Sequence, residues 1–252
     1  YHAFARKDEI LAFIDKRKGR PHRVETLTSS MTEYQAKRWL QDHGFAVTKE
    51  ALARDAQEAV QIAERIGYPV ALKVQSPDIS HKTDIGGVML NLRSADEVEQ
   101  AFAKIMQNVL QQSVQPCIEG ILVQEMVPEG VEVFLGAKVE GPLGPTILFG
   151  TGGIFVEVLK DIQVAIPPLT LEEAHKLIRR IQGYPLLKGT RGKKGVDIDS
   201  LAQLLVQFSE WVVRLRGNVQ IDLNPVKVTE NGVVILDALV VASACQNSSV
   251  CV

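Results

Sequence analysis

One local grammar is used twice between residues 32 and 74, and it limits the fold more than any other feature of the chain. An amphipathic helix is closed by glycine and followed by a short apolar strand. The first instance is "TEYQAKRWLQDHG", opening at Thr32 and closed by Gly44, with Tyr34, Trp39 and Leu40 able to share a face, and then the strand "FAVT". The second is "RDAQEAVQIAERIG", closed by Gly67, and then "YPVALKV", an apolar run suited to a buried strand. A strand "GVMLNLR" and a helix over residues 94 to 112, capped by Ser94 with Glu97 three residues on, follow. From Ile118 the pattern changes to closely spaced strands: "GILVQEMV", "GVEVFLGAKVE", "PTILFG" and, after the turn "GTGG", "IFVEVL". Helices over residues 171 to 182 and 200 to 216 precede a last group of strands, "NVQIDLNPVKVTENGVVILDALV", turning at Asn231 and Gly232. These elements predict an α+β fold in two lobes, with no longer internal repeat and no low-complexity tract.

A chain of 252 residues, 46% hydrophobic and 23% charged, can bury the core such a fold needs. The expected organisation is a basic helix and linker at 1–28, a first lobe at 29–118, a second at 119–242 and a frayed tail at 243–252. Residues 1–23 carry seven basic side chains against three acidic ones, the composition of a solvated helix and linker. A formal net charge of −2 gives no support to a partner held by overall charge, so neither nucleic acid nor membrane is expected, and an anionic ligand must be caught locally. Cys117, Cys245 and Cys251 show no metal spacing and read as reduced thiols. No run of about 18 apolar residues and no signal-peptide pattern is present, which favours a cytoplasmic location. A chain opening on Tyr1 without Met reads as a piece of a longer polypeptide or a processed one.

Familiar nucleotide motifs are absent. There is no G-x-x-x-x-G-K-[ST], "GTRGKKG" misses that spacing, "GTGG" is not G-x-G-x-x-G, and no G-x-S-x-G elbow exists. Lys73 nonetheless sits inside the apolar strand "PVALKV", where a lysine either faces outward or meets an anion at a cleft. The glycines of "GTGG" either make a tight turn or bring bare backbone amides to an anion. Asp222, Asn224 and Asp237, near the ends of strands that a hairpin sets side by side, either are turn residues, as isolated acids there more often are, or offer oxygens suited to Mg²⁺, which takes few protein ligands when phosphates complete its shell. The loop "SPDISHKTDIGG", residues 76–87, is by itself a solvated turn or a site built on His81. Together these groups meet one demand, a nucleoside triphosphate with its metal.

The segments "EYQAKRWLQDHGFAV", "GYPVALKVQSPDISHKTDIGGV", "LVQEMV", "GVEVFLGAKVEGPLGPTILFGTGGIFVEVLKD", "PLLKGTRG" and "IDLNPVKVTENGVVILDA" resemble the ATP-grasp domain, or beta subunit, of NDP-forming acyl-CoA synthetases (acetate–CoA ligase, ADP-forming). More distantly they are similar to the beta subunit of succinyl-CoA synthetase. The resemblance covers residues 30 to 242 and implies two lobes enclosing ATP or ADP with Mg²⁺. It implies that Lys73 contacts phosphates, that Gln124, Glu125, Met126 and Val127 form the hinge along the adenine, that Glu132 lies near the ribose, and that Asn224 and Asp237 bind the metal. Gly86, Gly87, Gly152 and Gly153 would allow backbone to approach the phosphoryl group. Asp222 stands where the wider family has Glu in "E-x-N-P", one methylene longer, and is expected beside the phosphoryl group.

His81 matches the histidine that carries the phosphoryl group, as a phosphohistidine, between acyl phosphate chemistry on a CoA-binding partner and ADP. Imidazole is nucleophilic near neutral pH, and Lys82 and Asp84 could stabilise charge and fix its ring. The implied activity is that of an acid–thiol ligase, acyl-CoA + Pi + ADP = acid + CoA + ATP, completed by an alpha-type CoA-binding subunit or domain that also holds the acyl substrate. Two other readings stay open: a nucleotide-binding regulatory module of a multidomain protein acetyltransferase, and an ATP-grasp carboxylate ligase that makes its own acyl phosphate.

Overall fold

A computed structural model of the chain describes residues 24–79, 82–111, 116–139, 144–152, 161–189 and 194–243. Two hydrophobic cores organise it. The smaller forms around an antiparallel sheet in the order β2-β5-β3-β4, made of Glu50–Ala53, Gly120–Glu125, Val70–Gln75 and Val88–Leu92. Helices α2 (Ala56–Ile66) and α3 (Ala95–Leu110) cover one face of this sheet. At the start of α2, Asp55 accepts the Glu58 N–H at 2.8 Å; at the start of α3, Ser94 accepts the Glu97 N–H at 3.2 Å, as the sequence predicts. Their apolar stripes, including Ile62, Ala63, Phe102 and Ile105, pack on Val70, Leu72, Val74, Ile121 and Val123. Strand periodicity of two therefore turns Ala71, Lys73 and Gln75 to the uncovered face.

The larger core lies against a six-stranded antiparallel sheet. It comprises β6 (Val131–Val139), β7 (Pro145–Thr151), β8 (Ile162–Ala165), the twelve-residue β10 (Asn218–Thr229), β11 (Gly232–Ile235) and β12 (Leu239–Ser243). Helices α1 (Glu33–Asp42), α4 (Leu171–Arg180) and α6 (Ile198–Val212) contribute buried residues to this core, and a short helix α5 (Tyr184–Lys188) adds Leu187. Along β10, Val219, Ile221 and Leu223 enter the core, which puts Gln220, Asp222 and Asn224 on the opposite face. A bulge at Asn224–Pro225 then shifts the register, so that Val226 and Val228 return to the core. A parallel pair, β1 (Glu25–Thr26) with β9 (Leu215–Arg216), ties the start of the described chain to this lobe.

Three sequence expectations shift. "FAVT" forms a single bridge, Val47 to Ile235, and the strand itself is Glu50–Ala53, because the sheet edge available to it lies against β5. The lobe division expected at 118/119 falls inside the smaller unit, since β5 pairs with β2 and β3. Helix α1 joins the larger core through Ala36 and Leu40. Tyr34 and Trp39 are only half-buried; the deepest positions on α1 are Glu33, Ala36, Lys37 and Leu40. The strand "IFVEVL" lies outside the described residues.

Candidate active site

The uncovered face of the small sheet and the outer face of β10 meet across a cleft of about 1020 Å³. Lys73, Gln75, Lys82 and Asp84 line it from one side, Asp222, Asn224 and Asp237 from the other, and Glu33 at the start of α1 lies between them. Sequence separation of up to about two hundred residues is thus closed by two strand periodicities and one helix start.

Glu33 is the electrostatic centre of the cleft. Its Oε1 accepts from Lys73 Nζ at 2.9 Å, and its Oε2 from Lys82 Nζ at 2.5 Å and Gln75 Nε2 at 3.3 Å. Lys37 Nζ stands 4.0 Å away, one turn along α1. Burial pushes the Glu33 carboxyl up, but Lys73, Lys82 and Lys37 outweigh it and hold the group at about 2. Lys73 also reaches Asp237 Oδ2 at 3.5 Å; burial pulls its ammonium down, yet Asp237 and Glu33 keep it above its ordinary value. Asp237 and Asp222 are both raised, Asp237 by burial and by Glu33 against the pull of Lys73, Asp222 by burial and by Asp237.

Behind this layer lies a buried polar network. Lys37, with no exposed surface, donates to Thr48 Oγ1 at 2.7 Å, to the Leu236 carbonyl at 2.8 Å and to the Glu50 carboxylate, which fills its three donor positions. Gln124 Nε2 donates to Thr48 Oγ1 at 2.9 Å and to the same Leu236 carbonyl at 2.8 Å. The Leu236 N–H in turn bonds the Pro225 carbonyl at 3.0 Å. This corner holds Asp237 beside Asn224; Asp237 lies just past the end of β11 as expected, whereas Asp222 and Asn224 lie within the twelve-residue β10 rather than near its end.

The arrangement suits a divalent cation shared with phosphate. Three lysines, Lys37, Lys73 and Lys82, face four carboxylates, Glu33, Glu50, Asp222 and Asp237, so an incoming polyphosphate adds negative charge to a set already negative. Among the described residues no group of three or more His, Cys, Asp or Glu is placed to hold a metal alone. Two carboxylates and an amide oxygen are the donor number that Mg²⁺ takes when phosphates complete its shell.

Other expected residues are placed as follows. Gly86 has φ 66, its carbonyl accepts from Asn108 Nδ2 at 3.0 Å, and a Cβ at Gly87 would lie 2.7 Å from Val74 Cγ1. Glu125 Oε1 accepts the Lys49 N–H at 2.8 Å, and the Met126 N–H donates to the Pro69 carbonyl at 3.2 Å. Val127 lines a separate recess beside the β10–β11 hairpin, and Glu132 pairs with Lys227 at 3.5 Å. Gly152 is packed so that a Cβ would lie 2.8 Å from the backbone of Glu132 and Val133, which explains the glycine by close strand approach. Gln124, Glu125, Met126, Glu132 and Gly152 are not among the residues lining the cleft. His81 and Gly153 lie outside the described residues. Sequence reasoning missed Glu33, Lys37, Glu50 and Gln75; the only signal was a Glu–Lys pair at i,i+4, which ordinarily marks a solvent-facing helix.

An ATP-grasp domain model matches residues 24–242. The chain belongs to the ATP-grasp family. Within it, this ATP-grasp domain is 39% identical over 208 residues to the beta subunit of acetate–CoA ligase [ADP-forming] I of Pyrococcus furiosus, covering 82% of this chain and 90% of that subunit. It is 46% identical over 198 residues to acetate–CoA ligase [ADP-forming] I of Archaeoglobus fulgidus, covering 79% of this chain but only 29% of that protein's length. The fold is similar to a dinucleotide-forming acetyl-coenzyme A synthetase of Ca. Korarchaeum cryptofilum in complex with coenzyme A and Ca-AMPCP. There the TM-score is 0.81 at 37% identity, with 92% of this chain and 98% of that chain covered. Another structure of that synthetase, in complex with coenzyme A and Mg-AMPPCP and with its phosphohistidine segment pointing towards the nucleotide binding site, matches at 0.74 and 35% identity, covering 93% and 98%. The ATP-grasp domain is thus of the ADP-forming acetate–CoA ligase beta-subunit type. Among the described residues no helix is long and apolar enough to cross a membrane.

Proposed function

We propose that this chain is the nucleotide-binding part of an ADP-forming acyl-CoA synthetase and passes a phosphoryl group between His81 and Mg-bound ADP or ATP. The observation that carries the reading is the cleft in which Lys73, Asp222, Asn224 and Asp237 converge with Lys82, the residue that follows His81 in the chain. Lys73, kept cationic by Asp237 and Glu33, would hold the transferred phosphate, while Asn224 and Asp237 would hold Mg²⁺. Held there, such a cation would neutralise phosphate charge.

A neutral ring nitrogen of His81 attacks the γ-phosphorus of ATP, the bond to the β-γ bridging oxygen breaks, and ADP leaves; the reverse step rebuilds ATP. Asp222, beside Asp237 on the opposite wall, is suited to orient the imidazole by accepting from its other N–H. Acyl transfer to CoA falls to an alpha-type CoA-binding partner, as the naming of the Pyrococcus furiosus relative as a beta subunit supports. The test is incubation with Mg²⁺ and γ-labelled ATP, wild type beside His81→Ala. Acid-labile, alkali-stable label is expected only with His81; label that survives the substitution refutes the assignment.

A further inference from the structure

We infer that Glu33 is a positioning residue that docks the His81 loop at the nucleotide site by binding Lys82, the residue next in the chain. The inference rests on the phosphoryl-transfer reading above for its purpose, though not for its geometry.

The loop is fixed at its flanks by bonds to β3, α3 and Cys117 and by one within itself. Asp78 Oδ2 accepts the Cys117 N–H at 2.7 Å on one side. On the other, Gly87 bonds Val74 through its carbonyl at 2.9 Å and the Lys82 carbonyl through its N–H at 2.8 Å, and the Gly86 carbonyl is held by Asn108. Between these flanks, the side-chain tie from the described part of the loop into the cleft is Lys82 Nζ to Glu33 Oε2 at 2.5 Å. Both partners are largely shielded, the Glu33 side chain 3% and the Lys82 side chain 18% exposed, so the contact is a desolvated charge-assisted hydrogen bond rather than a surface ion pair.

Glu33 is itself rigidly presented. It opens a helix whose Ala36 and Leu40 are locked in the larger core, and its second oxygen is held by Lys73 of the small sheet. The carboxylate therefore bridges the lysine expected to hold phosphate and the lysine next to the phosphoryl-accepting histidine. Two cations and the Gln75 amide around one anion are also what a phosphoryl group would find there. Glu33 thus occupies an anion-binding arrangement while keeping the loop at the place where transfer occurs.

Hydrogen–deuterium exchange of the peptide spanning residues 76–87, in the full chain without nucleotide, tests the contact directly. Lys82→Met and Glu33→Gln should each speed exchange by roughly tenfold, and the double variant should be no faster than either. Unchanged exchange in Lys82→Met, which leaves the Glu33–Lys73 pair intact, or additive effects in the double variant, overturns the inference. A kinetic split separates docking from general destabilisation. In Lys82→Met the rate of His81 labelling at saturating Mg-ATP should fall roughly tenfold while the half-saturating Mg-ATP concentration holds. A rise in that concentration with an unchanged rate refutes the docking role. Because the exchange readout uses no nucleotide, it stands even where labelling of His81 fails.

Discussion

Lys37→Met removes the charge at the centre of the buried network without emptying its volume. Lys37 has no exposed surface and spends its three donors on Thr48, Glu50 and the Leu236 carbonyl. Methionine fills nearly the same space, so the cavity contribution is small. What is lost is the cation that compensates Glu50, and stranding one member of a buried pair costs about 3–5 kcal/mol. Burial already raises the Glu50 carboxyl, and Lys37 offsets part of that rise. Without Lys37 the folded-state pKa climbs further above the unfolded value. A raised carboxyl stabilises at low pH and loses that contribution as pH rises, so the penalty should be larger at pH 8 than at pH 5. In Lys37→Met/Glu50→Gln no charge is stranded, and Gln124 still serves Thr48 and Leu236, so about half of the loss or more should return. Urea unfolding, followed by far-UV circular dichroism and by the fluorescence of Trp39 and Trp211, measures each. A single-variant loss below about 1 kcal/mol, or a double variant no more stable than Lys37→Met, refutes the reasoning.

Glu33, held at about 2 against an ordinary 4.5, contributes about 3 kcal/mol that is present above pH 4.5 and is lost as pH falls towards 2. The stability gap between wild type and Glu33→Gln should therefore narrow between pH 5 and pH 2.5, as acid unfolding curves will register; a constant gap contradicts the assigned charge state. Asp237→Asn should weaken nucleotide binding roughly tenfold or more in Mg²⁺ and much less in chelator, measured by titration calorimetry. Equal losses with and without Mg²⁺ would remove Asp237 from the metal site.

Much of this was legible in the residues. A lysine at the third position after Val70 in an apolar strand must face away from a helix-covered side once Val70, Leu72 and Val74 are committed to the core, and Lys73 does so. The alternation in "NVQIDLNP" likewise put Asp222 and Asn224 on one face. The hinge residues were less legible, because whether Glu125 or the Met126 N–H is used within the protein depends on Lys49 and Pro69, which no local pattern connects to them. The glycines of "GTGG" were ambiguous for a similar reason: Gly152 answers to the backbone of Glu132, a strand away.

By itself, the sequence determined the strand that carries Lys73 and the face that carries Asp222 and Asn224, since each follows from periodicity within a few residues; it implied two lobes but not which of them takes α1 and β5. Only the tertiary structure decided that Glu33 and Lys37 would be buried, because α1 gives Ala36 and Leu40 to the larger core while turning its charged stripe onto β2 and β3 of the smaller one. A Glu–Lys pair one helical turn apart is a solvated surface feature until a second lobe closes over it, and the burial that makes it matter comes from packing across the cleft, not from the helix.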